Sequence, residues 1–209
     1  MISVILLTYN RTKTAEKCAR ENIKRAGYPI DEIIHIDNGS DIIPRISADI
    51  SIYFPENRGT AVGYNTGFRL ARGHAVIPST DMILPQNWLK SMIEHLTDGI
   101  GIAIIKPFEV KELRDAENVG PKLIKHELFE KIGYMHDDYS LYGHEDVEFG
   151  RRAKNAGYRV IDIPTTGAIA QRGEDTEEYV KWKQEQAHKS EKLLADANTA
   201  NYPKYNPYG

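Results

Sequence analysis

Hydrophobic positions change period several times along the chain, and the changes lay out an alternation of strands and helices. Residues 2–7 form a run of β-branched residues and leucine broken only by Ser3, the composition of a strand buried on both faces of a parallel sheet. Ala15, Cys18, Ala19, Ile23 and Ala26 then follow helical spacing, with Thr12 or Thr14 available as a cap and Gly27 as a stop. Residues 33–36 read as the next strand. Strand, helix and strand in this compass make a βαβ unit, which predicts a parallel pair with a right-handed crossover. A third strand, partly alternating, spans residues 50–54.

Residues 57–89 organise the rest. Gly59, Gly63 and Gly67 would let a helix lie close to another backbone or a ligand, while Ala61, Tyr64, Phe68 and Ala71 mark its packed face. Gly73 stops it, and the apolar run 75–77 suits an inner strand leading to Ser79, Thr80 and Asp81. A carboxylate at the C-terminal edge of a parallel strand lies where open α/β sheets bind ligands. Trp88, Leu89, Met92, Ile93 and Leu96 give an amphipathic helix, read as core; residues 100–105 and 159–163 are further strands. The charged, irregular stretch 106–120 reads as a loop crossing the site. A long helix over 175–197 carries only a loose stripe of Tyr179, Val180, Trp182, Ala187, Leu193 and Leu194, and would lie along the domain or form a dimer contact. The tail, 201–209, has three tyrosines and two prolines and is either disordered or an extended arm.

Composition narrows the class. A chain of 209 residues holds one substantial core, here taken as one α/β domain over 1–174, a helical extension over 175–200 and the tail. A net charge of −3 gives no global footprint for nucleic acid or an anionic membrane. The single cysteine, Cys18, has no intrachain partner, which fits a reducing compartment. The N-terminal apolar run is too short for a span and lacks a basic leader, and no segment approaches the ~18 apolar residues of a transmembrane helix. The expectation is a cytoplasmic protein, monomer or homodimer.

Two dense stretches carry a resemblance. The first is Asn57-x-Gly59, Asn65, Gly67, Ala71-x-Gly73, a strand, an acidic turn and Pro85-x-x-Trp88-Leu89. The second is Leu128-Phe129-x-x-Ile132-Gly133, Asp137-Asp138, Tyr142-Gly143, Glu145-Asp146, Arg151 or Arg152, and Gly157. Together with the N-terminal strand and loop, they resemble a family 2 glycosyltransferase of GT-A fold over about residues 2–170. The resemblance implies a Rossmann-like, mostly parallel central sheet with helices on both faces, and transfer of a sugar from a nucleotide-diphosphate sugar, a UDP-sugar being favoured, to an acceptor hydroxyl with inversion.

The same resemblance implies roles. Thr8, Tyr9, Asn10 and Arg11 would hold the nucleoside together with Asp37, which would accept from a uracil-type imide; Asn57, Gly59 and Asn65 belong to the donor half. The family's acidic turn is Asp-x-Asp, but here it reads Ser79-Thr80-Asp81, so only the last carboxylate is present to hold Mn²⁺ or Mg²⁺. Where the family commonly places a metal-binding His, this chain has Gln171 and Arg172. Gln171 is a weaker neutral ligand, and Arg172 would take part of the leaving diphosphate's charge. The Asp of Glu145-Asp146 is the family's general base, a carboxylate that takes the acceptor hydroxyl's proton. The bland alternative is that both merely complement a helix dipole, with Glu148 and Arg152 as a surface i, i+4 pair. A degenerate domain that only binds nucleotide or glycan is the rival reading, supported by Ser79 and Gln171. A nucleotidyltransferase would need a glycine-rich phosphate loop, which residues 8–11 do not supply. The acceptor is open among a glycan, a protein, a small molecule and a modified nucleic-acid base.

Overall fold

The computed structural model describes residues 1–114, 116–139, 141–196 and 204–208. Much of the expected tail, residues 201–203 and 209, and the end of the helical extension, residues 197–200, lie outside the described residues.

A seven-stranded sheet forms the centre. Its parallel half is β1 (Ile2–Thr8), β2 (Glu32–Asp37), β3 (Ile50–Tyr53) and β4 (His74–Ile77), in spatial order β3-β2-β1-β4. The other half holds β6 (Ile100–Pro107) parallel to β8 (Arg159–Thr165). Between the halves runs β7 (Lys122–Ile124), antiparallel to both β4 and β6. The hydrophobic pattern did not reveal β7, because Lys122-Leu123-Ile124 is too short to show a period. A small second sheet pairs β5 (Met82–Ile83) with β9 (Ile169–Ala170).

Strand alternation splits the core in two. Val4, Leu6 and Val76 point to one face, beneath α1 (Thr12–Arg25) and α3 (Trp88–Glu94), where Trp88, Leu89 and Met92 are buried as expected. Ile5, Ile34, Ile36 and Ile77 point to the other face, beneath α2 (Thr60–Leu70), α5 (His126–Ile132) and α6 (Glu145–Asn155). Gly67 brings α2 onto β1; a Cβ there would lie 2.5 Å from Ile5 Cγ2.

The stretch 106–120 contains one helical turn, α4 (Lys111–Arg114), and encloses Lys106, whose ammonium donates to the carbonyls of Leu113 (2.9 Å), Ala116 (2.5 Å) and Val119 (2.7 Å). A buried lysine thus gathers a loop that looked irregular from its charges. The last helix, α7 (Glu177–Asp196), does not run free of the site: Gln186 and Ser190 are buried, and Ser190 Oγ donates to Tyr142 O at 3.2 Å. Residues 204–208 lie beside the end of α5. Tyr134 N donates to Tyr205 O at 2.9 Å, the Tyr205 hydroxyl bonds to Asp137, and Arg69 sits 4.2 Å over the Tyr208 ring.

Candidate active site

The parallel strands β1, β2 and β4 end at the same edge, and their C-terminal loops open into one cleft of about 400 Å³. Residues 7–11, Asn57, residues 77–81 and residues 141–146 all line it, so segments far apart in sequence meet in one cleft. Such an edge, outside the carboxyl ends of parallel strands, is where α/β sheets place ligands.

The register Thr8↔Asp37 sets the first two loops side by side. Thr8 Oγ1 donates to Asp37 Oδ1 at 2.8 Å, and Ser40 donates to both oxygens of that carboxylate, from N at 2.9 Å and from Oγ at 2.6 Å. Asp37 is therefore buried and spent on its own loop, and Asn38 stands in the lining instead. Asn38 Nδ2 donates to Asn57 Oδ1 at 3.0 Å, tying the second loop to the start of α2. Asn65 lies outside the lining as well: its amide bonds to both the N and the O of Met135, at 3.0 and 2.8 Å, fixing the loop that follows α5. Gly59, at φ 91°, makes the turn into α2.

The acidic turn is positioned by a residue that sequence reasoning missed. Asn22, fully buried on α1, donates to Ser79 O at 2.8 Å and Met82 O at 2.9 Å and accepts from Leu84 N at 2.7 Å. This one amide holds both ends of the turn, so Asp81 projects from a fixed backbone. Ser79 Oγ donates to Asp81 Oδ1 at 2.5 Å. Arg11 stands 3.5 Å and Arg172 3.9 Å from Asp81 Oδ2. Burial pushes the Asp81 carboxyl up, but the Ser79 bond and the charges of Lys183, Arg11 and Arg172 outweigh it and hold the group below the usual carboxylate range.

Arg11 is the hinge of this corner. It lies 2.9 Å from Asp175, close enough for an ion pair although not aligned for a hydrogen bond, and donates to Gln171 O at 2.5 Å. The Gln171 side chain faces away from Asp81: its Oε1 accepts from Lys17 Nζ at 2.8 Å. Of the carboxylates in this corner Asp81 lines the cleft, and no cluster of three or more His, Cys, Asp or Glu that could hold a metal occurs among the described residues. A hard cation fits such a place when phosphate oxygens and water complete its shell. The N-terminus of α1 is capped by Glu174, which accepts from Thr14 N at 2.6 Å, rather than by Thr12 or Thr14.

Opposite this corner, α6 brings Glu145 and Asp146 into the cleft in its first turn. Lys122 Nζ donates to Asp146 Oδ2 at 2.9 Å and to Asn118 O at 2.9 Å. Lys122 arrives on β7, the strand hidden in the sequence, and is itself buried. Glu145 is 6% exposed, and burial, then the charge of Asp146, push its carboxyl up to about 7. Glu148 and Arg152 do pair, at 2.5 Å, but inside the protein and not on its surface. Arg152 also donates to the carbonyls of Ile132 and Tyr134, both at 2.6 Å, which locks α6 to the end of α5.

The third wall comes from α7. Tyr179, Trp182, Lys183 and Ala187 line the cleft; the Trp182 ring lies 5.7 Å from Tyr9 and 5.9 Å from Tyr179. Gly143 permits this packing, since a Cβ there would lie 3.2 Å from Ala187 Cα. The loose apolar stripe of α7 concealed this role: three of its members, Tyr179, Trp182 and Ala187, line the cleft, while Val180 and Leu193 are exposed. Among the described residues no helix is long and apolar enough to cross a membrane.

The likeness to solved structures is broad and distant. A mannosyltransferase from Pyrobaculum calidifontis, in complex with GDP-Man and Mn²⁺, superposes with a TM-score of 0.67 at 23% identity over 94% of this chain. This chain spans 65% of that protein's length. Glucosyl-3-phosphoglycerate synthase from Mycobacterium tuberculosis, in complex with Mn²⁺, UDP and phosphoglyceric acid, gives 0.64 at 13% identity, over 97% of this chain and 79% of that one. The same enzyme with Mg²⁺ and UDP gives 0.63 at 13% identity, over 93% of this chain and 78% of that one. No curated protein matches the chain significantly. These likenesses establish a shared fold. The sequence model of glycosyl transferase family 2 matches residues 3–153, from the first strand through the Glu145-Asp146 turn and most of α6, and the chain belongs to that family.

Proposed function

We propose that the protein transfers a sugar from a nucleotide-diphosphate sugar to an acceptor hydroxyl, with inversion at the anomeric carbon and Asp146 as general base. The observation that carries this reading is the single cleft in which the loops after β1, β2 and β4 meet the first turn of α6. The structurally similar enzymes bound to GDP-Man or UDP support the donor class.

In this reading the nucleoside lies on residues 8–11 and Asn38, and its diphosphate faces Asp81, Arg11 and Arg172. Bound Mn²⁺ or Mg²⁺ would be held by Asp81 and would supply positive charge to the diphosphate. Among the described residues Asp146 receives one hydrogen bond, at Oδ2, so Oδ1 is the oxygen that accepts the acceptor's proton. As the acceptor oxygen bonds to the anomeric carbon, its proton passes to Asp146 and the bond to the diphosphate breaks, leaving its electron pair on the phosphate oxygen. One base carboxylate and a single displacement give inversion. Glu145 lines the cleft beside Asp146, and burial, then the charge of Asp146, favours its protonated form more than in a free glutamate.

The test is release of nucleoside diphosphate from UDP- and GDP-sugars in the presence of glycan, small-molecule and hydroxymethylated-nucleobase acceptors, with product anomer assigned by NMR. Acceptor-dependent release that Asp146→Asn abolishes while donor still binds is the expected result. Wild-type protein that binds donor but turns over none of these pairs would favour a domain that only binds nucleotide.

A further inference from the structure

The cleft contains a cation that neither the family match nor the reading above uses. Lys183 belongs to α7, thirty residues beyond the matched segment 3–153. Its ammonium lies 4.4 Å from the centre of the Tyr142 ring and 5.6 Å from that of Tyr179. Among the described residues it has no carboxylate within ion-pair distance and donates no hydrogen bond. A lysine held by ring faces keeps its three N–H donors available, whereas the neighbouring cations are already paired: Arg11 donates to Gln171 O and lies 2.9 Å from Asp175, and Arg172 lies 3.9 Å from Asp81 and 3.7 Å from Asp175. Lys183 is also close enough to Asp81 for its charge to be felt there.

The balance of charge points the same way. Arg11 and Arg172 stand beside both Asp81 and Asp175, and the charge of Lys183 also acts on Asp81, so three cations meet two carboxylates in this corner and leave one positive charge in excess there before any ligand arrives. A cation set on aromatic rings, donors unspent, beside a carboxylate that fits a metal, suits a ligand carrying several negative oxygens in a row.

We propose that Lys183 is a diphosphate ligand supplied by α7, completing with Arg11 and Arg172 a cationic pocket for a nucleoside diphosphate. The inference rests on the nucleotide-sugar reading and extends it, because it makes α7 a part of the donor site. The helix is anchored on either side of Lys183. Its approach is fixed by Glu174 on the N-terminus of α1 and by Asp175 beside Arg11, and its middle is fixed by Ala187 against Gly143 and Ser190 on Tyr142 O. Lys183 lies between these anchors, so its reach towards the diphosphate is set by packing.

The experiment is calorimetric titration of the whole chain with UDP, GDP, uridine and guanosine, each in EDTA and in Mn²⁺, for wild type, Lys183→Met and Lys183→Arg. The expected result is that the preferred diphosphate binds Lys183→Met about tenfold more weakly than wild type, that the matching nucleoside binds both equally, and that Lys183→Arg recovers most of the loss. Equal diphosphate affinity in wild type and Lys183→Met would overturn the proposal while leaving the nucleotide reading intact. A loss shared equally by nucleoside and diphosphate would also overturn it, since that outcome marks a structural role for the lysine. Wild type that binds none of the four compounds would overturn the nucleotide reading itself, and the proposal with it.

Discussion

Lys122 and Asp146 meet across 2.9 Å, the lysine on the strand of the central sheet that runs antiparallel to both its neighbours and the carboxylate in the first turn of α6. The pair is nearly closed to water, with side-chain exposures of 6% and 18%. It fixes one carboxylate oxygen of a residue that lines the cleft. Removing either partner alone leaves a charge in a poorly solvated place, which costs about 3–5 kcal/mol for a buried pair and less here, where Asp146 keeps some contact with water. Asp146→Asn is therefore expected to lower Tm, and the double variant Lys122→Met/Asp146→Asn to melt above Asp146→Asn. Thermal melts of the four proteins form the double-mutant cycle; strictly additive losses would show that the two groups do not interact.

The same pair bears on turnover. Asp146→Asn should lower kcat by about 10²–10⁴, the usual contribution of a positioned base, with donor affinity little changed. Lys122→Met leaves the base in place but unanchored, so its kcat should fall less than that of Asp146→Asn. Steady-state kinetics beside donor titrations separate the two effects. A Lys122→Met variant slower than Asp146→Asn would count against a positioning role.

Glu145 makes stability depend on pH in a defined window. Its carboxyl is raised to about 7 by burial and then by Asp146, above the 4.5 of a free glutamate. Between those values the folded chain keeps a proton that the unfolded chain has lost, so this group's contribution is fully present below the lower value and is lost as pH rises through the upper one. The free energy of unfolding should thus fall from pH 5 to pH 8 more steeply in wild type than in Glu145→Gln, by an amount on the order of 1–3 kcal/mol, read from urea unfolding at each pH. Parallel slopes in the two proteins would show that Glu145 titrates normally.

In the proposed reading Asp81, which lines the cleft, is the carboxylate that holds the divalent cation. Mn²⁺ should strengthen nucleoside diphosphate binding to wild type and have no such effect on Asp81→Ala. Titrations with and without the metal decide it. A metal effect that survives Asp81→Ala would place the cation elsewhere.

Gly67 carries the contact of α2 with β1. Alanine would gain about 1 kcal/mol in helix propensity but would force a methyl against Ile5, an overpacking cost of about 1–3 kcal/mol. The cost wins, and Gly67→Ala should be destabilised by about 1 kcal/mol in urea unfolding. A more stable variant would mean that Ile5 can move aside.

Several parts of this arrangement were legible from residue order alone. The run 2–7, the helical spacing of Ala15 to Ala26 and the segment 33–36 are local signals, since burial on two faces or on one stripe writes its period directly into the chain. The glycines of α2 were legible for the same reason, as close approach of backbones excludes larger residues. The acidic turn and Glu145-Asp146 stood out because chemistry restricts residue type at those points. Other features left no such mark. Asn22 looks like any polar residue inside an amphipathic helix, Lys122 and Lys106 look like surface lysines, and Trp182 looks like part of a weak stripe. What makes each of them matter is a partner 24 to 173 residues away, or, for Lys106, three carbonyls gathered by a loop.

The sequence by itself determined the family, the parallel βαβ start, the two faces of the core and the order in which chemically competent loops arrive at one sheet edge. These follow from short-range periodicity and from residue types that few positions tolerate. Tertiary structure decided the rest: that Asp37 and Asn65 are spent on holding loops, that β7 enters antiparallel with Lys122 to meet Asp146, and that α7 folds back to make a wall of the cleft. The physical reason is that charge pairing and burial depend on distance in space. A lysine's sequence neighbours cannot say whether it ends in water, beneath a carboxylate or across the face of a tyrosine.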